Sequence, residues 1–359
     1  MSTDLIANIQ DSITNAKTYN RTTLFTVATT SKQEINPYVT PLRVYENYCI
    51  LGCVIFSQDI ILEVIETIDG VVDLLLVDSE KKIPLSLMAD NSEALYKGDT
   101  IGNFETGNLS KICFKYTKKT KVFEYKPNDL TVCAAWNFLS QRLGFFTGKK
   151  VAILGLGNIG AKLALKLVES GADVHVFSKD YFKSHSIAQA LNLIKPVGTL
   201  ASISVHREAL PASFMAHVLI GATNGIPIID DAIVKSVRTN CLILDIGKNN
   251  LEKTALDLAR SKSLEICRTD VTTSLEGFVC EMLSLNHNIS YAYGRRVIEG
   301  IGIVGGGYFG EPGDVIVDNI SCPKIIYGVA DGMGSVKRIH SKIDLNKLIA
   351  LRKELGLEI

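Results

Sequence analysis

The chain has 359 residues, enough for two domains of ordinary size, and its 47% hydrophobic and 21% charged residues are typical of a folded globular protein. Lys plus Arg and Asp plus Glu both number 38, so no overall field attracts nucleic acid or an anionic membrane. No run of about 18 apolar residues is present, and the first residues lack the pattern of a signal peptide. We therefore expect a cytoplasmic protein with no nucleic-acid or membrane partner.

The eight cysteines and six histidines give no sign of a metal site. The cysteines form no C-x-x-C pair, and most lie inside apolar runs, which is typical of free, buried thiols in a reducing compartment. The histidines show no metal-ligand spacing. We therefore predict that the protein holds no metal ion.

Residues 22–126 alternate between β-rich runs and helical patterns and predict an N-terminal α/β domain. The helical pattern covers residues 58–67, and a polar, glycine-containing stretch over residues 89–107 is typical of a loop. Val71–Val77 is a continuous apolar run, which suits a buried parallel strand. The other predicted strands are Thr23–Thr29, Tyr48–Phe56, Lys111–Tyr116 and Lys121–Tyr125.

A helix is predicted to connect this domain to the rest of the chain. Pro127 marks a boundary, and Asp129 is a suitable residue to cap the first turn because its carboxylate accepts bonds from free N–H groups. Apolar residues recur at helical spacing until Gly144, a plausible end. Residues 128–147 are therefore predicted to be an interdomain helix.

A glycine pattern follows directly after the next predicted strand. Lys149–Leu154 leads into G-x-G-x-x-G, formed by Gly155, Gly157 and Gly160, and then into a helix over residues 161–170. This strand–turn–helix context is the one that a dinucleotide-binding fingerprint requires. The first glycine makes the turn, the second lets the backbone approach a pyrophosphate, and the third allows close helix packing. Asn158 and Ile159 complete the predicted phosphate-binding turn.

The residues after the second strand, Asp173–Phe177, bear on which dinucleotide binds. Sites specific for NAD place Asp or Glu there to hold the ribose 2′-hydroxyl. Here Ser178 and Lys179 follow the strand, and a hydroxyl beside an ammonium suits a 2′-phosphate. Asp180 favours NAD if the register is shifted by two residues. We predict NADP as the cofactor, with NAD the less favoured alternative.

The alternation of strands and helices continues after this point. Further strands are predicted at residues 217–223, 240–246 and 264–268, with a helix over residues 230–237. Small residues follow two of these strands, where the backbone is expected to approach the nicotinamide ribose. The cofactor-binding residues predicted here are Ala222, Thr223, Asn224 and Gly247.

Two segments resemble a known group of enzymes: LIGATNG (219–225) with ILDIG (243–247), and the helix leading into GKKVAILGLG (148–157). They resemble the amino-acid-dehydrogenase-like Rossmann group, which includes shikimate dehydrogenase, glutamyl-tRNA reductase and methylenetetrahydrofolate dehydrogenase/cyclohydrolase. The resemblance covers residues 128–270 well and residues 1–127 poorly. It implies a catalytic cleft between an N-terminal α/β domain and the cofactor domain, and by analogy a homodimer.

Hydride transfer to a carbonyl or imine carbon also needs a proton donor. In shikimate dehydrogenases, which the chain resembles, a Lys and an Asp supply it, and Asp129 stands near the matching place without the flanking Thr and Gly. Lys97 is the best available partner, although a solvated surface lysine explains it too. Tyr308 is the third candidate catalytic residue. It follows three glycines in the glycine-rich stretch 300–334, which either lines the cleft or forms a turn-rich connection.

The predicted organisation has three parts. Residues 1–127 form the N-terminal domain, joined by a C-terminal helix within 341–359, residues 128–147 form the interdomain helix, and residues 148–340 form the Rossmann domain. The predicted function is NADP-dependent hydride transfer to or from a carbonyl or imine carbon of a small polar metabolite. A folate or pterin one-carbon dehydrogenase and a non-catalytic dinucleotide sensor or scaffold remain alternatives.

Overall fold

A computed structural model describes residues 2–29, 36–56, 60–80, 109–291 and 294–357 of the chain. The chain divides into two compact units, Met1–Val271 and Thr272–Ile359. The first unit contains two α/β domains, each built on its own sheet, and the second contains a smaller mixed sheet.

The N-terminal domain is a five-stranded sheet with three described helices. Its elements are α1 (Ser2–Lys17), β1 (Thr22–Thr29), β2 (Tyr38–Val44), β3 (Tyr48–Ile55), α2 (Ile61–Ile68), β4 (Leu74–Asp78), α3 (Leu109–Tyr116) and β5 (Lys121–Tyr125). The strand order is β2-β3-β1-β4-β5, in which β2 is antiparallel to β3 and the other pairs are parallel. The predicted α/β class of this domain is confirmed.

Two local predictions in this domain are wrong. Residues 111–116 belong to helix α3 and not to a strand, because Leu109, Ile112 and Cys113 are buried at helical spacing against the core. The strand β2 was not predicted from its sequence; it is an edge strand with no fully buried residue, so it lacks a clear apolar alternation. The loop predicted over residues 89–107 lies outside the described residues.

The predicted interdomain helix is present as α4 (Pro127–Leu143). It begins with Pro at its first position and ends at Gly144, and it buries Val132, Ala135 and Leu139 against the core of the second domain. No side chain caps its start, and Asp129 lies within the first turn, so the predicted capping role of Asp129 is wrong.

The second domain has six parallel strands. Its elements are β6 (Lys150–Leu154), α5 (Asn158–Glu169), β7 (Asp173–Phe177), α6 (Tyr181–Ile194), β8 (Ile203–His206), α7 (Ala209–Ser213), β9 (Val218–Gly221), α8 (Asp231–Ser236), β10 (Leu242–Asp245), α9 (Lys253–Ser261) and β11 (Glu265–Arg268). The strand order is β11-β10-β9-β6-β7-β8, the doubly wound order of a Rossmann fold. The Rossmann prediction is confirmed.

This domain buries its apolar residues on both faces of the sheet. Ile153 and Val151 pack with α4 and α5 on one face, whereas Ala152 and Leu154 pack with the helices on the other. Strands that are covered on both faces consist of continuous apolar runs. The central strands of this domain could be predicted from the sequence for that reason. Strand β8 has one fully buried residue, Ile203, and lies at the edge, so its pattern was too weak to predict.

The C-terminal unit contains a four-stranded sheet between two helices in sequence. Its elements are α10 (Thr272–Tyr291), β12 (Arg295–Ile298), β13 (Ile301–Gly305), β14 (Val315–Val317), β15 (Ile326–Val329) and α11 (Lys342–Glu354). The pair β13–β14 is parallel, and the pairs β12–β13 and β14–β15 are antiparallel.

The last helix packs inside this unit. Leu351 is fully buried with Ile303 and Val315, and Ser341 and Asp344 form a capping box at the start of α11. This differs from the domain organisation predicted from the sequence, which joined this helix to residues 1–127 and the glycine-rich stretch to the Rossmann domain. Short strands rich in glycine give no long apolar pattern, so the sequence did not reveal a separate sheet.

The cysteines are less uniformly buried than predicted. Four of the eight are buried, whereas Cys133, Cys280 and Cys322 are exposed and Cys267 is half-buried. Burial raises the pKa of Cys113 and of Cys241 to about 12. Among the described residues, no helix is long and apolar enough to cross a membrane.

Candidate cofactor site

The glycine turn between β6 and α5 is held by close backbone contacts. Gly155 has φ +114°, and a Cβ added there would lie 2.5 Å from the carbonyl oxygen of Ala222. A Cβ at Gly160 would collide with the carbonyl oxygen of Gly155. Both glycines are therefore required by the protein's own packing, as the fingerprint predicts.

Gly157 differs from its two neighbours in the motif. It is exposed, and a Cβ added there would meet no described atom within 4 Å apart from its chain neighbours. Protein packing alone does not explain this glycine. The open space lies at the start of α5, where the N–H groups of Asn158, Ile159 and Gly160 have no acceptor within the helix. Such a cradle suits an anionic group, because free N–H groups and the helix dipole both favour negative charge.

The end of β7 shows where Ser178, Lys179 and Asp180 lie relative to the strand. The strand ends at Phe177, so Ser178 is the first residue beyond it and is half-buried, whereas Lys179 is exposed. Asp180 caps helix α6, accepting a 2.9 Å hydrogen bond from the backbone N–H of Lys183. The Asp180 carboxylate therefore has a structural role at the helix start.

Arg207 adds a second positive charge at the same edge. Strand β8 pairs with β7 so that His206 lies beside Phe177, and Arg207 and Ser178 are the residues that follow this pair. The Arg207 guanidinium stacks on the ring of Tyr181 at 4.2 Å from its centroid. The sequence did not single out Arg207, because β8 itself was not predicted.

The six parallel strands all end at the same edge of the sheet. The loops after β9 and β10 meet at this edge, on the opposite side of β6 from Ser178. Gly247 has no room for a side chain, because a Cβ there would collide with the carbonyl oxygen of Thr223. The side chain of Asn250 is fully buried between these loops, and its Oδ1 accepts bonds from the N–H (2.9 Å) and the hydroxyl of Thr223. Ala222 is half-buried and Asn224 is exposed. Asn250 was not predicted from the sequence, because its partners come from two separate loops.

The three predicted catalytic residues belong to different parts of the chain. Asp129 forms an ion pair with Lys162 of α5, and the two side chains are 44% and 41% exposed. Lys97 lies outside the described residues. Tyr308 belongs to the C-terminal unit, where it is 50% exposed in the turn after β13.

Arg295, upstream of the glycine-rich stretch, is engaged within the C-terminal unit. Its Nε donates to Asp314 at 2.8 Å, and a terminal nitrogen donates to Glu311 at 2.9 Å. Burial alone would raise the pKa of Asp314, but the hydrogen bond from Arg295 and a backbone hydrogen bond keep it below its ordinary value. These ion pairs explain the presence of Arg295 by a structural role within the C-terminal unit.

Two histidines form a pair on the Rossmann sheet. His175 Nδ1 and His206 Nε2 are 2.8 Å apart, and the rings are stacked. Burial lowers the pKa of His175 to about 4, with further lowering by the positive charge of Lys150 and by His206. Within the described part of the chain, no group of three or more His, Cys, Asp or Glu side chains is placed to hold a metal ion.

The comparison with protein families identifies this region. Residues 145–272 match the family described as putative NAD(P)-binding. The matched range spans the glycine turn, both halves of the edge and all six strands of the sheet. Residues 145–272 are an NAD(P)-binding Rossmann domain.

One curated protein is similar to a short part of this chain. The chain is 41% identical over 85 residues to a ketol-acid reductoisomerase (NADP(+)) of Bifidobacterium longum, which is 23% of this chain and 24% of that protein. The chain therefore matches about a quarter of that relative's length.

Solved structures with similar folds include two enzymes. The shikimate dehydrogenase of Aquifex aeolicus is 15% identical, with a TM-score of 0.39 over 72% of this chain and 91% of that one. A dipicolinate synthase chain from Bacillus halodurans is 13% identical, with a TM-score of 0.34 over 73% and 97%. These scores are too low to support an argument about activity.

Proposed function

We propose that this protein is an NADP-dependent oxidoreductase that transfers a hydride to or from a carbonyl or imine carbon of a small polar metabolite. The observation that carries the proposal is the open cradle at Gly157. A glycine that the protein's own packing does not require, at a helix start with free N–H groups, is explained by a pyrophosphate that passes over it.

A bound dinucleotide would lie along the edge of the sheet where the strands end. Asn158, Ile159 and Gly160 would bind the pyrophosphate through their N–H groups, and the segment Ala222–Asn224 with Gly247 would lie along the nicotinamide ribose. A bound nicotinamide supplies the hydride donor or acceptor of the reaction.

Two observations support NADP over NAD. Asp180 is engaged as the cap of α6, which leaves Ser178 at the position where NAD-specific sites carry an acid. Lys179 and Arg207 supply positive charge beside it, and Arg207 is oriented by its stacking on Tyr181. These positive charges would bind the 2′-phosphate of NADP. The ribose hydroxyls of NAD are usually held by a carboxylate, and Ser178 does not supply one.

The proton that accompanies hydride transfer is proposed to come from Lys97, Asp129 or Tyr308. Asp129 is already engaged in an ion pair with Lys162, which favours a role in orienting Lys162 or substrate over donating a proton. Asp129→Asn and Tyr308→Phe, compared in kcat/KM against pH, would separate the candidates once a substrate is found.

Calorimetric titration of the purified protein with NADPH and with NADH tests the cofactor assignment. We expect tighter binding of NADPH, and we expect Arg207→Ala to weaken NADPH binding about tenfold while leaving NADH binding unchanged. The double variant Ser178→Asp/Lys179→Ala should move the preference towards NADH.

Arg260 offers a matched control, because it is an exposed arginine that pairs with Asp257 at 3.5 Å on α9. Arg260→Ala should bind both cofactors as the wild type does. Equal or tighter binding of NADH by the wild type would contradict the NADP assignment. Failure to bind either dinucleotide would contradict the proposed function as a whole, and binding without turnover of any carbonyl or imine substrate would favour a sensor.

A further inference from the structure

We infer that Asn250 is a positioning residue, which holds the loop after β9 in the shape that receives the nicotinamide half of the cofactor. This inference rests on the proposed function. It concerns a side chain that touches neither the predicted phosphate cradle nor the adenine end of the site, and it assigns a role to a buried amide that the fingerprint does not include.

The first observation is that the Asn250 side chain links two loops. Its Oδ1 accepts from the backbone N–H and the hydroxyl of Thr223, in the loop after β9. Its Nδ2 donates to the carboxylate of Asp245, at the end of β10. Both the acceptor and the donor side of this amide are used, so an isosteric side chain of different polarity cannot replace it.

The second observation is that the main chain of Asn250 binds a third segment. Its carbonyl oxygen accepts from the N–H groups of Ile228 and Ile229, at 2.8 and 2.9 Å. The Thr223 hydroxyl oxygen also lies 2.7 Å from the carbonyl oxygen of Ile226, which is a second acceptor for the one proton that this hydroxyl carries. The loop from Thr223 to Ile229 is therefore bound to Asn250 near both of its ends.

The third observation is that two glycines make room for this side chain. A Cβ at Gly221 would lie 2.5 Å from Cβ of Asn250, and a Cβ at Gly247 would lie 2.6 Å from its Nδ2. The side chain is 0% exposed. Gly221 and Gly247 flank the loops that the proposed function assigns to the nicotinamide ribose, so the packing around Asn250 fixes the backbone that the ribose would contact.

The position of Asn250 predicts an effect on one half of the cofactor. Without the amide, Thr223 loses two hydrogen bonds and the Ala222–Asn224 segment is free to shift, while the Gly157 cradle and the Ser178 end keep their own contacts. A general loss of structure would instead weaken every part of the site. The two cases are distinguished by a ligand that lacks the nicotinamide.

The experiment compares NADPH with adenosine 2′,5′-bisphosphate, which carries the adenine, its ribose and the 2′-phosphate, by calorimetric titration of the full chain. For Asn250→Ala we expect NADPH to bind about tenfold more weakly and the adenosine bisphosphate to bind as to the wild type. Thr223→Val, which removes one of the two bonds and keeps the shape, should give a smaller loss with the same selectivity.

Asn192 provides a matched control, because its side-chain amide accepts from the N–H of Ile203 and donates to the carbonyl of Ile203, both at 2.9 Å. Asn192→Ala removes a comparable pair of bonds at the start of β8 and should leave both affinities unchanged. The exchange Asp245→Asn with Asn250→Asp restores a donor and an acceptor in reversed places and should recover NADPH binding relative to Asn250→Asp alone.

Equal weakening of both ligands by Asn250→Ala, or no weakening of NADPH, would overturn the positioning role. The same holds if Asn250→Ala and Thr223→Val fail to fold while Asn250→Asp folds and binds both ligands as the wild type does. If the wild-type protein binds neither ligand, the proposed function fails, and the inference fails with it for that separate reason.

Discussion

Glycine serves two different purposes in the two glycine-rich regions of this molecule. In the turn from Gly155 to Gly160, the central Gly157 faces open space at the start of a helix. In the C-terminal unit, an added Cβ would meet neighbouring atoms at most glycines between residues 294 and 334. A Cβ at Gly302 would collide with Asp314, and one at Gly334 would lie 3.0 Å from the ring of Phe309.

This difference shows that glycine density alone does not identify a ligand site. In the C-terminal unit, glycines are needed where a side chain or a strand comes close to the backbone. A high density of glycines in the sequence therefore looks the same in such a unit as in a ligand-binding loop. The decisive observation is which atom an added Cβ would meet. At Gly155 and Gly160 it is backbone, in the C-terminal unit it is mostly side chain, and at Gly157 no described atom is near.

The sharpest test of this comparison is the pair Gly157→Ala and Gly160→Ala. We expect Gly157→Ala to fold with an unchanged melting temperature but to bind NADPH at least about a hundredfold more weakly, because the methyl group occupies the space of the pyrophosphate. Gly160→Ala should instead lower the melting temperature, because its Cβ collides with the Gly155 carbonyl. Thermal unfolding and calorimetric titration measure the two effects.

Gly198→Ala is the control for that pair, since Gly198 also faces open space among the described residues but lies in the loop before β8. It should change neither quantity. Normal NADPH binding by Gly157→Ala would show that no phosphate passes over Gly157.

An intermediate effect is expected from Gly302→Ala. Its Cβ would displace the buried Asp314 carboxylate from the partly exposed Arg295, so the free energy of unfolding of this unit should fall. We expect faster amide hydrogen exchange in β13 and β14 and unchanged NADPH affinity. Gly306→Ala, at a neighbouring glycine with open space among the described residues, should leave exchange unchanged. Loss of NADPH binding in Gly302→Ala would instead link this sheet to the cofactor site.

The smallest effect concerns the pH dependence of stability in the Rossmann domain. Folding lowers the pKa of His175 from 6.5 to about 4, so the unfolded chain binds a proton between these pH values and the folded chain does not. The contribution of His175 to stability is therefore complete above pH 6.5 and declines as the pH falls towards 4. Urea unfolding at several pH values should show a shallower acid decline for His175→Gln than for the wild type.

His185→Gln serves as the control, because His185 is exposed on α6. It should retain the acid decline of the wild type. An identical decline in His175→Gln and the wild type would contradict the assignment of this proton uptake to His175.

The amino-acid sequence by itself determined the Rossmann domain, because its central strands are covered on both faces and its glycine motif is contiguous. The runs Lys150–Leu154 and Leu242–Asp245 could therefore be recognised without any partner, and the cofactor turn followed from local spacing. Residues 111–116 of the helix Leu109–Tyr116 were mistaken for a strand. A short apolar run is compatible with the spacing of buried residues in a helix and in a strand, and only its packing distinguishes them.

Only the tertiary structure decided features that depend on residues far apart in the chain. Arg207 joins Ser178 because β8 pairs with β7, Asn250 joins Thr223 because two loops meet at one edge, and Asp129 pairs with Lys162 because α4 packs on α5. The last helix, too, packs with the glycine-rich sheet by contacts that no local pattern encodes. Local periodicity records which face of an element is buried, whereas side chains from separate loops meet only once the strand order is set.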